Sequence, residues 1–208
     1  MKKINLLLGL TFLSGVLLLS SCKDEDEGLQ VQPHDQNTMM TIMHNMMARM
    51  DSMPMTGDPD HDFAMMMRMH HQGAIDMANE ELKSGNDDTV RAMAQKVITT
   101  QQAEITELSN FLASHAVEGP PNQTFMMEHM ESMEKMMKAN DLRVITGDAD
   151  NDFLALMIDH HQSAIENSQS ELKFGKHSEM KALAQRIIDE QKMEINDFQD
   201  QLLRLKPY

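Results

Sequence analysis

Apolar residues recur every three or four positions over most of the chain after residue 37, which is the spacing of one face of an α-helix. The pattern predicts four long helices, at residues 60–84, 88–114, 150–174 and 178–205. A shorter, methionine-rich helix is predicted ahead of the first and third of these. No segment has the alternation and the Val/Ile enrichment of a strand. The sequence therefore predicts an all-α protein built on a four-helix bundle.

Residues that begin, end and separate helices support this assignment. Gly85 and Gly175 directly follow the first and third long helices as C-cap residues. A Gly-Pro-Pro-Asn segment at 119–122 divides the chain into two halves, 38–115 and 124–205. Four aspartates precede or open the first and third long helices and are predicted to cap them: Asp58, Asp60, Asp148 and Asp150.

The two halves repeat each other at an offset of 90 residues. Their shared polar residues interrupt apolar helix stripes, so they are predicted to face the core. Buried polar groups cost a few kcal/mol unless each finds a partner. The residues are therefore expected to form either a metal-free hydrogen-bonded layer or a site for a bound ion, and the pattern leaves both open. They are His70, His71, Gln101 and Glu104 in the first copy and His160, His161, Gln191 and Glu194 in the second.

Methionine is unusually abundant: the chain has 24, and over half of them lie between Met39 and Met77. A methionine stripe usually packs a core or an adaptable apolar surface. However, a core helix would draw mainly on Leu and Ile, whereas thioether sulfur selects soft ions such as Cu(I). The spacing predicts metal ligands that combine Met and His on single helix faces. These candidates are Met67 with His71, Met157 with His161, His44 with Met40 and Met47, and His129 with Met133.

The N-terminus predicts export and lipid anchoring. Two lysines, a short apolar stretch and Leu19-Ser-Ser-Cys22 give residues 1–21 the form of a lipoprotein signal peptide. Cys22, the one cysteine, is then the lipidated residue, and residues 22–37 form an acidic, disordered tether to the lipid bilayer. The expected location is the bacterial outer membrane, on its periplasmic face or at the cell surface. A formal net charge of −15 excludes nucleic acid as a partner and favours cations.

The motif Met67-x-x-His70-His71 followed by Gln101-x-x-Glu104, and its second copy, resemble the bacterial family called domain of unknown function 305 over residues 38–205. The resemblance implies a ferritin-like bundle and, from exported Met-rich members, copper binding linked to copper tolerance. It implies metal ligation by the Met, His and Glu residues of the motif, with Gln101 and Gln191 supporting them. Phe111 and Phe198 replace a Trp that is frequent in relatives, which indicates a change in packing.

These observations favour a non-enzymatic, lipid-anchored protein that captures Cu(I), with Ag(I) or another transition metal as further cargo. A metal-trafficking partner protein or a second copy of the chain are further expected partners. One alternative is a metal-dependent redox enzyme, although the chain has fewer core carboxylates than a di-iron centre requires. The other is a metal-free structural lipoprotein that self-associates through its methionine faces.

Overall fold

The structure, a computed structural model, describes residues 31–205, and this part of the chain contains helices and turns but no strand. The predicted all-α bundle is therefore confirmed. The predicted signal peptide at residues 1–21 and residues 22–30 of the predicted tether, including Cys22, lie outside the described residues. No helix within the described range is both long and apolar enough to span a bilayer. A short 3-10 turn at His34–Gln36 is followed by six helices: α1 Thr38–Asp51, α2 Pro59–Ser84, α3 Asp88–Ser114, α4 Gln123–Asp141, α5 Ala149–Phe174 and α6 Ser178–Leu205.

The long helices form two hairpins, α2 with α3 and α5 with α6, and the hairpins join through contact of α2 with α5. The predicted apolar stripes lie inside, as shown by the full burial of Val90 and Ala94 on α3 and Ala184 and Ile187 on α6. The shorter helix α1 packs on α2, and α4 packs on α5. The sequence repeat is thus a structural repeat, in which each half contributes one lead helix and one hairpin.

Two aspartates in the first turns of α2 and α5 connect the halves. Asp60 accepts hydrogen bonds at 2.9 Å from the backbone N–H groups of Lys176 and His177, just before α6. Asp150 accepts equivalent bonds from the residues just before α3, including one of 3.0 Å from Asp87. The start of each helix therefore lies beside the end of the other, so α2 and α5 run antiparallel.

This arrangement corrects the capping prediction for three of the four aspartates. Asp148 does cap its own helix, because its side chain accepts from the backbone N–H of Asn151. Asp60 and Asp150 bind the opposite hairpin instead, and Asp58 makes no side-chain cap bond to α2. Periodicity and local sequence could not reveal bonds to a loop more than sixty residues away.

Gly85 and Gly175 end α2 and α5 as predicted, but their backbones are extended rather than left-handed, with φ of −71° and −61°. Glycine is required at both positions because the backbone lies close to a glutamate side chain. A Cβ would overlap the carboxyl group of Glu81 at Gly85 and that of Glu171 at Gly175. Burial, together with the neighbouring Asp150 and Asp60, raises the pKa of Glu81 to about 8 and that of Glu171 to about 9. Both carboxyl groups are therefore protonated at neutral pH.

The folded part of the chain begins before residue 38. The backbone N–H of Gln32 donates to the carbonyl oxygen of Ile145 at 2.7 Å. Asn37 caps α1 through the N–H of Met40 and donates to Asp152 at 2.9 Å. The last residues of the segment assigned to the tether are thus packed against the second repeat.

Candidate metal centre

His70 and His160 meet where α2 and α5 contact each other in the middle of the bundle. Their rings are in close contact, with centroids 3.6 Å apart and planes tilted by 35°. His160 Nε2 donates to the backbone carbonyl of His70 at 3.1 Å, so the neutral ring has its lone pair on Nδ1. His70 Nε2 lies 2.8 Å from the hydroxyl of Ser163. The Nδ1 atoms of both rings are buried and have no protein partner.

The adjacent histidines are each directed at a carboxylate on the partner helix of the hairpin. His161 Nε2 lies 2.8 Å from Glu194 in a hydrogen bond. His71 Nε2 lies 2.9 Å from Glu104, although without hydrogen-bond alignment. Such a carboxylate orients an imidazole and makes it a better metal ligand. Nδ1 of both rings is again buried without a partner.

Two glutamine side chains complete this central layer. Gln101 and Gln191 lie one helical turn before the two glutamates, and both are almost completely buried. Neither the amide nitrogen nor the amide oxygen of either residue has a hydrogen-bond partner. Buried polar atoms are nearly always paired in native proteins, by protein groups, water or a ligand. The central layer therefore contains polar atoms that are available to bind a polar molecule or an ion.

The environment of His70 and His160 keeps their imidazoles neutral. Burial holds the pKa of His70 and of His160 well below its ordinary value, and neighbouring histidines lower it further. Burial alone lowers the pKa of His129, on α4, to about 4. A neutral imidazole has a lone pair to offer a metal, whereas a protonated one does not. At neutral pH these rings are in the metal-binding form.

The thioethers predicted to accompany the layer are also buried. Met67 and Met157 occupy the turns of α2 and α5 that precede the histidine pairs, with 2% and 0% exposure. A thioether of α4 contacts the layer through Ser163, because Met136 Sδ accepts from the Ser163 hydroxyl at 3.2 Å. Sequence analysis missed Met136 and Ser163. The signal was the one change inside the repeated motif, since Ser163 replaces Gly73 of the first copy.

The candidates on the lead helices differ in their surroundings. Met40 and Met47 lie in the apolar core, whereas His44 is exposed and its Nε2 contacts Asp141 at 3.1 Å. His129 and Met133 are both buried, and neither ring nitrogen of His129 has a partner. The structure therefore buries both His129 and Met133, whereas it places His44 at the surface, apart from the buried Met40 and Met47.

Within residues 31–205, only one group brings three His or carboxylate ligand atoms within 4.8 Å of one another, and it is not in the central layer. It consists of His115, Glu118 and His177 at one end of the bundle. Sequence analysis did not select these residues because no short motif joins them. A usable signal was that the repeat counterparts of His115 and His177 are Leu205 and Asp87, so each histidine occurs in one copy only.

The sequence profile of the domain of unknown function DUF305 matches residues 18–112 and, in a second overlapping match, residues 60–202. No curated protein matches the chain. A DUF305 protein of Streptomyces coelicolor has a similar solved structure, with a TM-score of 0.57 and 24% identity over 72% of this chain and 94% of that one. A DUF305 fragment from Deinococcus radiodurans gives a TM-score of 0.54 and 25% identity over 73% of this chain and 100% of its own. The repeated His-His and Gln-x-x-Glu bundle described above therefore belongs to the DUF305 family.

Proposed function

We propose that this is an exported, lipid-anchored protein that captures a soft monovalent metal ion, Cu(I) or Ag(I), outside the cytoplasm. The observation that carries the proposal is the central layer, in which four buried histidines have Nδ1 atoms without protein partners. Burying imidazoles and amides without hydrogen-bond partners costs free energy, and packing alone would not offset that cost. A bound ion gives these groups a partner.

The donors favour a soft cation over a hard one. Met67 and Met157 are buried one helical turn before the histidine pairs, and Met136 lies against Ser163, which contacts His70. Thioether and imidazole together select Cu(I), whereas Mg²⁺ and Ca²⁺ prefer oxygen ligands. His70, His160, Met67 and Met157 are the residues proposed to hold the ion, with Gln101 and Gln191 supporting them.

An entry route for the ion is provided by a cleft between α4 and α5. Met136 and Ser163 line this cleft, together with Asp159 and Glu166 nearer the surface. Ser163 is in direct contact with His70 at the inner end. An ion arriving from solvent would therefore pass Asp159 and Glu166, which are paired with Arg143 and Lys135, before it reaches the thioether, the hydroxyl and the imidazole layer.

Export rests on the predicted signal peptide and on Cys22, with anchoring to the outer membrane on its periplasmic face or at the cell surface. The Streptomyces coelicolor relative is itself described as a secreted protein. Outside the cytoplasm a methionine-rich chain is exposed to oxidants, which convert thioethers to sulfoxides. Binding of a soft cation is a reason to retain so many methionines in that location.

The test is a competition titration of the reduced protein against a chromophoric Cu(I) chelator. The wild type should withdraw at least one equivalent of copper. Met157→Leu keeps the size and apolarity of the side chain while removing sulfur, so it should bind Cu(I) about tenfold or more weakly and remain folded. His160→Gln should act similarly, whereas the matched control His34→Gln, outside the layer, should not. Failure of the wild type to withdraw copper from a weak probe would end the proposal.

A second candidate function, a metal-free structural module, is favoured by the packing of α1. Six of its methionines are buried against the rest of the bundle: Met39, Met40, Met43, Met46, Met47 and Met50. In that case, replacing Met43 and Met46 by Leu should leave every property of the protein unchanged, including any self-association measured by analytical ultracentrifugation. Retention of copper by the wild type and its loss in Met157→Leu would reject this candidate.

A further inference from the structure

A second cluster of ligating side chains lies at the end of the bundle, away from the central layer. His115 is the residue at the C-terminal end of α3, Glu118 lies in the linker to α4, and His177 lies in the loop between α5 and α6. One ring nitrogen of each histidine and one carboxylate oxygen of Glu118 lie within 4.8 Å of one another. Three segments far apart in sequence thus bring three potential ligands to one point.

A buried carboxylate positions two of the three ligands. Asp58, which is 2% exposed, accepts from His115 Nε2 at 2.9 Å and from the backbone N–H of Glu118 at 2.7 Å. When the neutral His115 ring donates from Nε2, its lone pair is on Nδ1. Donation from a metal-binding histidine to a carboxylate is the usual arrangement behind metal ligands, because it fixes the tautomer and the ring orientation.

Aromatic contacts fix the two rings further. The ring of Phe111 stacks on His115 with centroids 4.5 Å apart and an interplanar angle of 18°. The rings of His115 and His177 meet edge to face at 4.7 Å. A third imidazole, that of His61, has its centroid 6.0 Å from His115, and its Nδ1 is buried without a partner. The rings are therefore held in place before any ion arrives.

The opposite end of the bundle shows that the fold does not need these histidines. There the counterparts of His115 and His177 are Leu205 and Asp87, and Asp87 caps α3 by accepting from the N–H groups of Thr89 and Val90. The counterpart of Asp58 is Asp148, which caps α5. The two ends of the bundle thus share a repeated backbone but differ in side chains. One end has ordinary helix caps, and the other has a cluster of His, Glu and Asp.

We propose that His115, His177 and Glu118 form a binding site for a divalent transition-metal ion of the Zn²⁺ or Cu²⁺ class, with Asp58 as the positioning residue. Two imidazoles and one carboxylate suit such borderline ions, and the set contains no thioether to select Cu(I). Glu118 is exposed, so the ion can enter from solvent. The site is independent of the proposed soft-ion centre, and it would give the protein a second class of metal cargo.

The experiment is a titration of the chelator-treated full chain with Zn²⁺, and separately with Cu²⁺, against a metallochromic competitor. The wild type should bind one equivalent of at least one of these ions. His177→Gln and Glu118→Gln should each weaken it by about tenfold or more, and Asp58→Asn should weaken it within the range of about 10- to 100-fold seen for such supporting carboxylates. His34→Gln is the matched control and should bind as the wild type does.

Circular dichroism of each variant establishes that it is folded, and Glu118→Gln, at an exposed position, keeps the test valid if His177→Gln unfolds. The proposal would be overturned if Glu118→Gln bound both ions as tightly as the wild type does. It would also be overturned if His34→Gln lost the bound ion to the same extent as the site variants. Cu(I) uptake under reductant should be unchanged in Glu118→Gln, and Zn²⁺ uptake unchanged in His160→Gln. These crossed results separate a failure of this site from a failure of the soft-ion centre.

Discussion

Replacement of Gln101 by Leu should stabilise the metal-free protein. Gln101 is 1% exposed, and neither polar atom of its side chain has a partner. A buried, unsatisfied polar group costs about 1–3 kcal/mol, and Leu has a similar size without polar atoms. The free energy of unfolding should therefore rise by about 1–3 kcal/mol. For a chain of this length, each kcal/mol corresponds to a rise of roughly 2–4 °C in Tm.

The assay is urea and thermal unfolding of the chelator-treated protein, followed by far-ultraviolet circular dichroism. Gln102→Leu, at the neighbouring exposed position, is the matched control and should change stability by less than about 0.5 kcal/mol. The same Gln101→Leu variant should bind Cu(I) about tenfold more weakly, because it removes a group that supports the ligands. A loss of stability in Gln101→Leu would refute the reasoning, since it would mean that the amide is already satisfied in the metal-free state.

Three further perturbations test other parts of the account. Because burial raises the pKa of Glu171 to about 9, the folded protein binds a proton that the unfolded chain has released above its ordinary pKa. The free energy of unfolding should therefore fall as pH rises from about 5 to 9, and Glu171→Gln should flatten this slope in urea titrations. Asp60→Asn, which weakens two charge-assisted bonds between the hairpins, should cost about 1.5–3 kcal/mol in the same assay. Gly73→Ala should cost about 1–3 kcal/mol, because its Cβ would overlap the side chain of Met46, and this cost should be smaller when the change is made in a Met46→Ala background.

The helices could be predicted from sequence because local chemistry determines them. The period of Val90, Ala94 and Val97 identified the buried face of α3, and Gly85 and Gly175 identified the ends of α2 and α5. The conformation of these glycines could not be predicted. It depends on where the carboxyl groups of Glu81 and Glu171 lie, and this is set by packing between hairpins.

The composition of the central layer could also be predicted, since a duplicated polar residue on an apolar stripe must face the core. The contact between the rings of His70 and His160 could not be predicted, because it depends on how α2 crosses α5. The exposure of His44, apart from Met40 and Met47, could not be predicted either. Helical spacing shows which residues share a face but not how wide the buried part of that face is.

For a related reason, the sequence could not show that the residues of the bundle-end cluster meet. His115 and His177 are 62 residues apart in the chain and lie in non-equivalent positions of the two repeats. Repetition points to residues that both copies retain, so it directs attention away from a feature present in only one copy. Only the fold, which brings the end of α3 beside the loop before α6, places these rings together.

X-ray absorption of the reduced, Cu(I)-loaded protein after dialysis tests the central claim most directly, because it reports the atoms bound to copper. Retained copper with both sulfur and imidazole nitrogen in its coordination shell is expected, with a smaller sulfur contribution in Met157→Leu, which keeps Met67. Complete loss of copper on dialysis, or a shell of oxygen and nitrogen alone, would contradict it.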